Sequence, residues 1–576
     1  MTKIYYLGVN TGTLMNGHKG SRGRIMWRLS GGVALAAFAA TFGLPASALA
    51  DTASEIKALK AQLKRLETRL TEQAKSTAQV KNALNSAKGA PGANVPPPVF
   101  VSFRNGLYVE TEDQDFSFKL GGHIQADGGF ASSADTISRS NVGFRRARIE
   151  VDGKAFKNWY YKVQYDFTGS GVAGIRDFYV AYRDKFLPPE LTSLPITVQI
   201  GNFREPFSLE STESSKYFTF IERSLPSVLS PSRHIGAAVA IGDKNWAVKT
   251  GIFSTSPQDT QTSPPTGESQ YWDAAVRAIY APITEEDKLL HVGASFKYHK
   301  PNNTTAATDA ANLRPGQSSE REETDVLGGG GALTRVSAAQ DLSCAGTAPI
   351  AAPTTAGNLN LVTTGVGQLI APFARRSSCL KYSYNYGFEA VGAYGPFSLQ
   401  GEYIAAQYER DSTNAFLYGN GGGSSLRYSG YYVLGSVFLT GESRAASYKG
   451  YDKDFNTPGS FGDVQIKNPL NKGGFGAFEF AARYSEINLN NGGLVDGNFV
   501  YAATVAGNAV QKAIASTATL GGRQDNFSLA LNWYPVRGVR FQANWTKTLT
   551  LVAPSDRPYL NGDRPSLFLA RAQIFW

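Results

Sequence analysis

The chain has 576 residues, of which 12% are aromatic, 60 are glycine and 2 are cysteine, and its formal net charge is +10. That length is too great for one ordinary soluble core and fits either several domains or one large barrel. Beyond the first fifty residues no apolar run is long enough for a spanning helix, so any membrane crossing falls to strands.

At the N-terminus, Lys19, Arg22, Arg24 and Arg28 precede the apolar stretch Gly32 to Leu44, and Ala48-Leu49-Ala50 stands before Asp51. This predicts an export signal over 1–50, cleaved after Ala50. Those fifty residues carry five Lys/Arg and no Asp or Glu, so the charge falls from +10 to +5 on their removal. Residues 51–88 hold eight Lys/Arg against Asp51, Glu55, Glu67 and Glu72, which leaves +1 for everything that follows. Nucleic acid is therefore not an expected partner, and any ion preference must come from where individual charges sit.

Residues 51–88 read as one helix with a heptad seam. Ile56, Leu63, Leu70, Thr77 and Leu84 fall at a, and Leu59, Leu66, Gln73 and Val80 at d, a spacing that favours a coiled coil. At ~1.5 Å per residue the helix is roughly 50 Å long. A Gly/Pro-rich stretch, Gly89 to Pro98, ends it, and 89–115 is read as a linker into the next domain.

From Phe116 the period changes to 2. Trp159, Tyr161, Val163, Tyr165 and Phe167 alternate with Tyr160, Lys162, Gln164 and Asp166, and Phe478, Phe480, Ala482 and Tyr484 alternate with Glu479, Arg483 and Ser485. Tyrosine and tryptophan recur near the ends of such segments, as in the interfacial girdles of outer-membrane barrels. About sixteen segments follow, with approximate starts at Phe116, Asn141, Asn158, Gly174, Leu194, His234, Asn245, Tyr271, Lys288, Leu380, Phe397, Arg427, Gly474, Asp525, Val539 and Pro565. Long loops at 204–233, 301–379 and 490–524 alternate with tight turns such as Gly395-Pro396. The connection 443–472 falls on the turn side yet is too long for a turn, so it is either a missed hairpin or a segment folded into the lumen. The last strand sends Phe568, Ala570, Ala572, Ile574 and Trp576 to one face and Arg571 and Gln573 to the other. A terminal aromatic there is the kind of signal that barrel-assembly machinery reads.

The predicted fold is thus an all-β membrane protein. It is an antiparallel transmembrane β-barrel of about sixteen strands over 116–576, with an N-terminal periplasmic coiled-coil helix, in lipid of the Gram-negative outer membrane. Parity places Arg146, Arg148, Lys162, Arg183, Arg277, Lys297, Arg483, Arg540 and Arg571 inside, against Glu150, Asp152, Asp166, Asp177, Asp273, Glu402 and Glu479. A lipid-facing Arg or Lys near the midplane costs ~2–4 kcal/mol, which forces the inward assignment. Arg145 points outward by the same count, at the rim or beside a bulge. The inward arginines either pair with carboxylates and brace the wall, or stay uncompensated as a track for oxyanions, which guanidinium binds with two hydrogen bonds.

Several segments resemble the phosphate-selective porins O and P. They are Phe116-Ser117-Phe118-Lys119-Leu120-Gly121-Gly122, Phe144-Arg145-Arg146-Ala147, Tyr165-Asp166-Phe167, Pro206-Phe207-Ser208-Leu209-Glu210, Ile221-Glu222-Arg223, Gly395-Pro396-Phe397, Leu439-Thr440-Gly441-Glu442-Ser443-Arg444 and Asn532-Trp533-Tyr534. The resemblance implies a homotrimer of sixteen-stranded barrels, each with inward-folded loops and a narrow pore lined by arginine and lysine. The family's paired arginines match Arg145 and Arg146, of which parity favours Arg146 for the lumen, and the resemblance carries anion-binding roles onto Arg146, Arg223 and Arg277, with Arg148, Lys162, Lys297, Arg483 and Arg571 as further pore-lining candidates from parity. Two positions depart from the family pattern. Ser211 stands where the phosphate-selective members have lysine, and His123 where they have arginine; Lys216 lies close enough to substitute for the missing lysine.

Cys344 and Cys379 both fall in the long loop, where an oxidising compartment favours a disulfide. The five histidines, His291 and His299 among them, are too scattered for a metal site to be expected. No cofactor is implied, and no nucleophile and base constellation points to an enzyme. The function expected is passive diffusion of small anions, phosphate or related oxyanions among them. The alternatives are a general non-selective porin, or a structural barrel tethering the outer membrane to the cell wall through its coiled coil.

Overall fold

The computed structural model describes residues 98–103, 105–132, 139–169, 174–254, 257, 271–301, 380–410, 425–490, 499–505, 508–515, 520–552 and 562–576, with isolated positions 61, 64, 65, 68, 72 and 75. The export signal, Cys344, Cys379 and most of the 301–379 loop lie outside them. The chain divides into two units, residues 1–100 with 111–113, and residues 101–110 with 114–576. In the first, the six isolated positions are helical and exposed, and all fall on b, c or f of the heptad, the side away from the seam. The seam itself is outside the described residues.

The second unit is a closed antiparallel barrel. Its strands in chain order are β1 (Ser117–Ser132), β2 (Arg139–Ala155), β3 (Trp159–Asp166), β4 (Ile175–Asp184), β5 (Ile196–Arg204), β6 (Arg233–Gly242), β7 (Trp246–Phe253) and β8 (Trp272–Thr284). They continue as β9 (Lys288–Lys300), β10 (Leu380–Tyr394), β11 (Phe397–Arg410), β12 (Ser425–Phe438), β13 (Ala477–Asn490), β14 (Leu520–Tyr534), β15 (Val539–Val552) and β16 (Ser566–Phe575). Each pairs with its neighbours in sequence, and β16 closes on β1 from Ser566 opposite Ser132 to Phe575 opposite His123. Reciprocal backbone hydrogen bonds between Gly122 and Trp576, at 3.0 and 3.1 Å, finish the seam. A Cβ at Gly122 would lie 2.5 Å from the Arg148 carbonyl oxygen, so the seam requires glycine there.

Closure leaves no unpaired edge in lipid, and alternation then separates the faces. On β16, Phe568 and Ile574 are exposed while Leu569, Arg571 and Gln573 are buried. Outward aromatics gather at both strand ends: Phe478, Trp533 and Phe541 stack at the turn end, and Trp272, Tyr298 and Tyr382 at the loop end. No described helix is long and apolar enough to cross a membrane.

The core is the filled lumen, where the largest fully buried side chains include Arg146, Arg483, Arg540 and Arg571. Two segments fill it from opposite ends. Residues 205–232 enter from the loop end. Residues 439–476 enter from the turn end, so of the two readings offered for this connection the lumen-folded one fits; the small hairpin within it, Tyr448–Lys449 against Ser460–Phe461, is separate from the wall. In the 490–524 loop, Phe499–Val505 and Asn508–Ala515 form a further hairpin. Within the expected linker, the strand Leu107–Thr111 pairs with the start of β1, Leu107 opposite Leu120.

Of the two places expected for Arg145, the rim and a bulge, the structure has the bulge, and with it the outward direction is overturned. A β-bulge interrupts the β1–β2 register where Gln125 faces Arg146 and Ala126 faces Phe144, skipping Arg145. The extra residue breaks the period-2 count, and Arg145 turns inward rather than outward.

Candidate functional site

The 205–232 segment is held in the lumen by wall residues that satisfy its polar groups. Phe207 leads it into an apolar cluster with Leu225, Leu229, Ile404, Tyr428 and Ile487. The short helix α1 (Leu209–Thr212) follows, with Ser208 Oγ accepting from the Ser211 amide at 3.1 Å. Glu402 of β11 accepts the Leu209 and Glu210 amides at 2.9 and 2.7 Å, placing a carboxylate at the end of α1 where unpaired N–H groups point. Further along, Arg540 donates to the Phe218 carbonyl at 2.7 Å and Asn532 to the Thr219 carbonyl at 2.8 Å.

Glu222 is the charged centre of the segment. Its carboxylate receives Arg145 Nε at 2.7 Å, Arg146 Nη2 at 3.3 Å and Arg571 Nη2 at 3.0 Å, and its side chain is fully buried. The surrounding guanidiniums hold it well below the usual carboxylate range despite the opposing effect of burial. Arg571 also grips Asp127 of β1 at 2.7 Å, so one arginine ties the segment, β16 and β1 together.

The other expected site residues are all inside, and most have partners. Arg148 meets Asp166 at 2.8 Å, Arg277 meets Glu389 and His291 shares that carboxylate, and Arg483 meets Glu210 at 3.3 Å. Lys162 lies 3.4 Å from Glu150, which Lys216 also contacts, so Lys216 serves a wall carboxylate. Lys297 lies 2.8 Å from Asp273. Arg223 donates to the carbonyls of Glu210, Ser211 and Glu213 at 2.8, 3.3 and 3.3 Å, bracing its own loop. Ser211 receives Arg204 Nη1 at 3.5 Å, while His123 is buried with neither ring nitrogen hydrogen-bonded.

From the turn end, Arg444 reaches Thr219 at 2.7 Å and Glu213 at 3.2 Å, joining the two inserted segments. Tyr451 donates to the Ala240 carbonyl at 2.9 Å, and Arg277 Nη1 donates to the Pro458 carbonyl at 2.8 Å. Between the segments lies a small cavity of about water size, bounded by Arg204, Thr212, Lys249, Arg277, Asn456 and Pro458, among others, with no carboxylate in its lining. The Lys249 ammonium donates to Gln199 Oε1 and the Asn456 carbonyl, both at 2.8 Å, and Asp454 and Asp177 act on it through space.

Sequence reasoning missed Lys249, Arg204 and Glu389. Parity could have supplied Lys249, which shares a face of β7 with Ala247 and Phe253 while Trp246 and Ile252 face out. Arg204 was read only as a loop boundary. Glu389 alternates correctly in β10, but nothing local marks it as the partner of Arg277.

The profile of the family described as phosphate-selective porin O and P matches residues 118–340 and 379–573. Porin O of Pseudomonas aeruginosa is 28% identical over 465 residues, covering 78% of this chain and 87% of that protein. An uncharacterized protein of Caulobacter vibrioides is 23% identical over 536 residues, covering 89% and 86%. Among solved structures, OmpT of Vibrio cholerae has a TM-score of 0.38 at 10% identity, covering 80% of this chain and 98% of that one. The outer membrane channel DcaP of Acinetobacter baumannii has a TM-score of 0.37 at 8% identity, covering 81% and 99%. With its family profile matched along most of the barrel, this chain belongs to the phosphate-selective porin O and P family and is a channel of the Gram-negative outer membrane.

Proposed function

We propose that the channel carries small anions by passive diffusion, with phosphate and related oxyanions as its solutes, and that it works as a homotrimer. The observation that carries the anion reading is the cavity on which Arg204, Lys249 and Arg277 converge without a lining carboxylate. Guanidinium and ammonium groups there offer hydrogen bonds and positive charge to an oxyanion that has shed part of its water. Family membership supports the trimer.

A planar bilayer with a salt gradient tests the reading. The unmodified protein is expected to show a reversal potential of the sign set by anions, and Lys249→Met is expected to move it toward zero. Equal permeability to both ions before any substitution would sink the proposal. A second reading, a general porin without anion preference, is favoured by the pairing of Arg146, Arg148, Arg277, Arg483 and Arg571 with carboxylates. A conductance series in phosphate, sulfate and chloride separates the two.

The lumen charge also changes near neutrality. Burial pushes the Glu213 carboxyl up to about 7, against the lowering effect of Arg444, with Glu210 adding to the rise and Arg223 and Arg540 opposing it through space. A group that holds its proton more tightly when folded stabilises the fold in acid, and that contribution is lost as pH rises through about 7. Protonation also removes a negative charge beside Arg444. Anion preference is therefore expected to be greater at pH 6 than at pH 8, by an increment that Glu213→Gln abolishes; an unchanged pH dependence in that variant would assign the effect to another group.

A further inference from the structure

At the loop end of the barrel, four strand termini bring together residues that are far apart in sequence. Glu205 follows β5 and opens the inserted segment, His234 is the second residue of β6, Asp273 the second of β8, and His299 the last but one of β9. Strand pairing sets Asp273 directly opposite His299. One ligand atom each from Glu205, His234 and Asp273 lies within 4.8 Å of the others. His299 Nδ1 lies 2.5 Å from Asp273 Oδ1, and His234 Nδ1 contacts Glu205 Oε1.

Glu205 is 1%, Asp273 0% and His299 9% exposed, so the group is shielded from water. Glu205 Oε2 and His299 Nε2 are both buried without a hydrogen-bond partner, a costly state for polar atoms unless something binds them. The charges are also uneven. Two carboxylates face one ammonium, that of Lys297, 2.8 Å from Asp273 and 3.6 Å from Glu205.

We propose that Glu205, His234, Asp273 and His299 bind one first-row divalent transition-metal ion, with Zn²⁺ as the fitting representative. Two imidazoles and two carboxylates suit such borderline cations, whereas magnesium and calcium favour oxygen-only shells. Bonds of about 2.0–2.2 Å set the donors of a tetrahedral site roughly 3.5 Å apart, against 4.8 Å at most among Glu205, His234 and Asp273, and His299 adjoins them through Asp273, which it faces across the β8–β9 pair. The incoming ion takes over the charge compensation now supplied by Lys297, whose side chain is 12% exposed and can turn into the lumen. Because Glu205 is the root of the inserted segment, the ion would tie that segment to β6, β8 and β9.

Isothermal titration of the chelator-treated, full-length protein in detergent with ZnCl₂ tests this. One Zn²⁺ per chain is expected, and His299→Ala or Asp273→Asn is expected to weaken binding by about tenfold or more, a loss that even outer-shell substitutions reach. Lys297→Met is expected to tighten binding, because it removes the competing ammonium while keeping every ligand. This opposite shift serves if a ligand variant fails to fold. Absence of stoichiometric binding, or equal affinity across wild type, Lys297→Met and the ligand variants, would overturn the site and leave a protonated histidine as the compensating charge.

Discussion

Glu222→Gln is expected to destabilise the barrel by about 3–5 kcal/mol, the loss typical when one partner of a buried charge group is removed. The variant keeps the shape of the side chain but leaves Arg145, Arg146 and Arg571 without the carboxylate they share. Arg571 keeps Asp127 at 2.7 Å, and Arg145 is left with Asp127 and Asp166 acting through space. The three cations then repel one another in a water-poor interior, and the segment carrying residue 222 loses its main anchor to β2 and β16. The measurement is the urea midpoint of the detergent-solubilised protein, followed by electrophoretic mobility. A midpoint equal to the parent's would mean that the three arginines are already compensated by solvent or by an anion.

Excision of Tyr448–Phe461 is expected to raise single-channel conductance severalfold and to weaken ion selectivity. The Gly462 amide already donates to the Ser447 carbonyl at 2.7 Å, so the chain can be rejoined across that contact with little displacement of the flanking backbone. What leaves is the material packed against Thr197, Ala240, Arg277 and His291, including Tyr451 and Pro458. Field lines through a wider, wetter lumen are less focused, and each remaining arginine then acts in a higher dielectric. Unaltered conductance in the excised variant would place the ion path elsewhere in the lumen.

The barrel was legible in the sequence because lipid imposes a simple rule on each strand. The sixteen expected starts fall close to the observed ones, and the largest departures, Gly474 for Ala477 and Asp525 for Leu520, sit where glycine-rich connections blur the pattern. The inward direction of Arg146, Arg277 and Arg571 followed from the same rule. Their partners did not. Which carboxylate meets which arginine depends on how residues 205–232 turn back into the lumen, and that path is set by contacts such as Glu402 with the amides of α1. For Arg145 the parity count gave the wrong direction, while the bulge offered as one way to accommodate it is the one present. His234 and His299 stand on β6 and β9, and nothing local in the sequence marks that each contacts a carboxylate, Glu205 and Asp273 respectively.

The grip of Arg571 on Glu222 and Asp127 also orders events in time. Arg571 lies on the last strand to emerge, so the inserted segment cannot complete its anchorage until β16 is present and paired with β1. Contacts between chain ends carry the largest loop-closure entropy and belong late in folding. An intermediate lacking β16 would therefore have both an open edge and a loosely held segment, features that invite proteolysis and edge-to-edge association. Coupling the final closure to the seating of residues 205–232 means that a chain truncated before Arg571 has neither a sealed wall nor an ordered lumen.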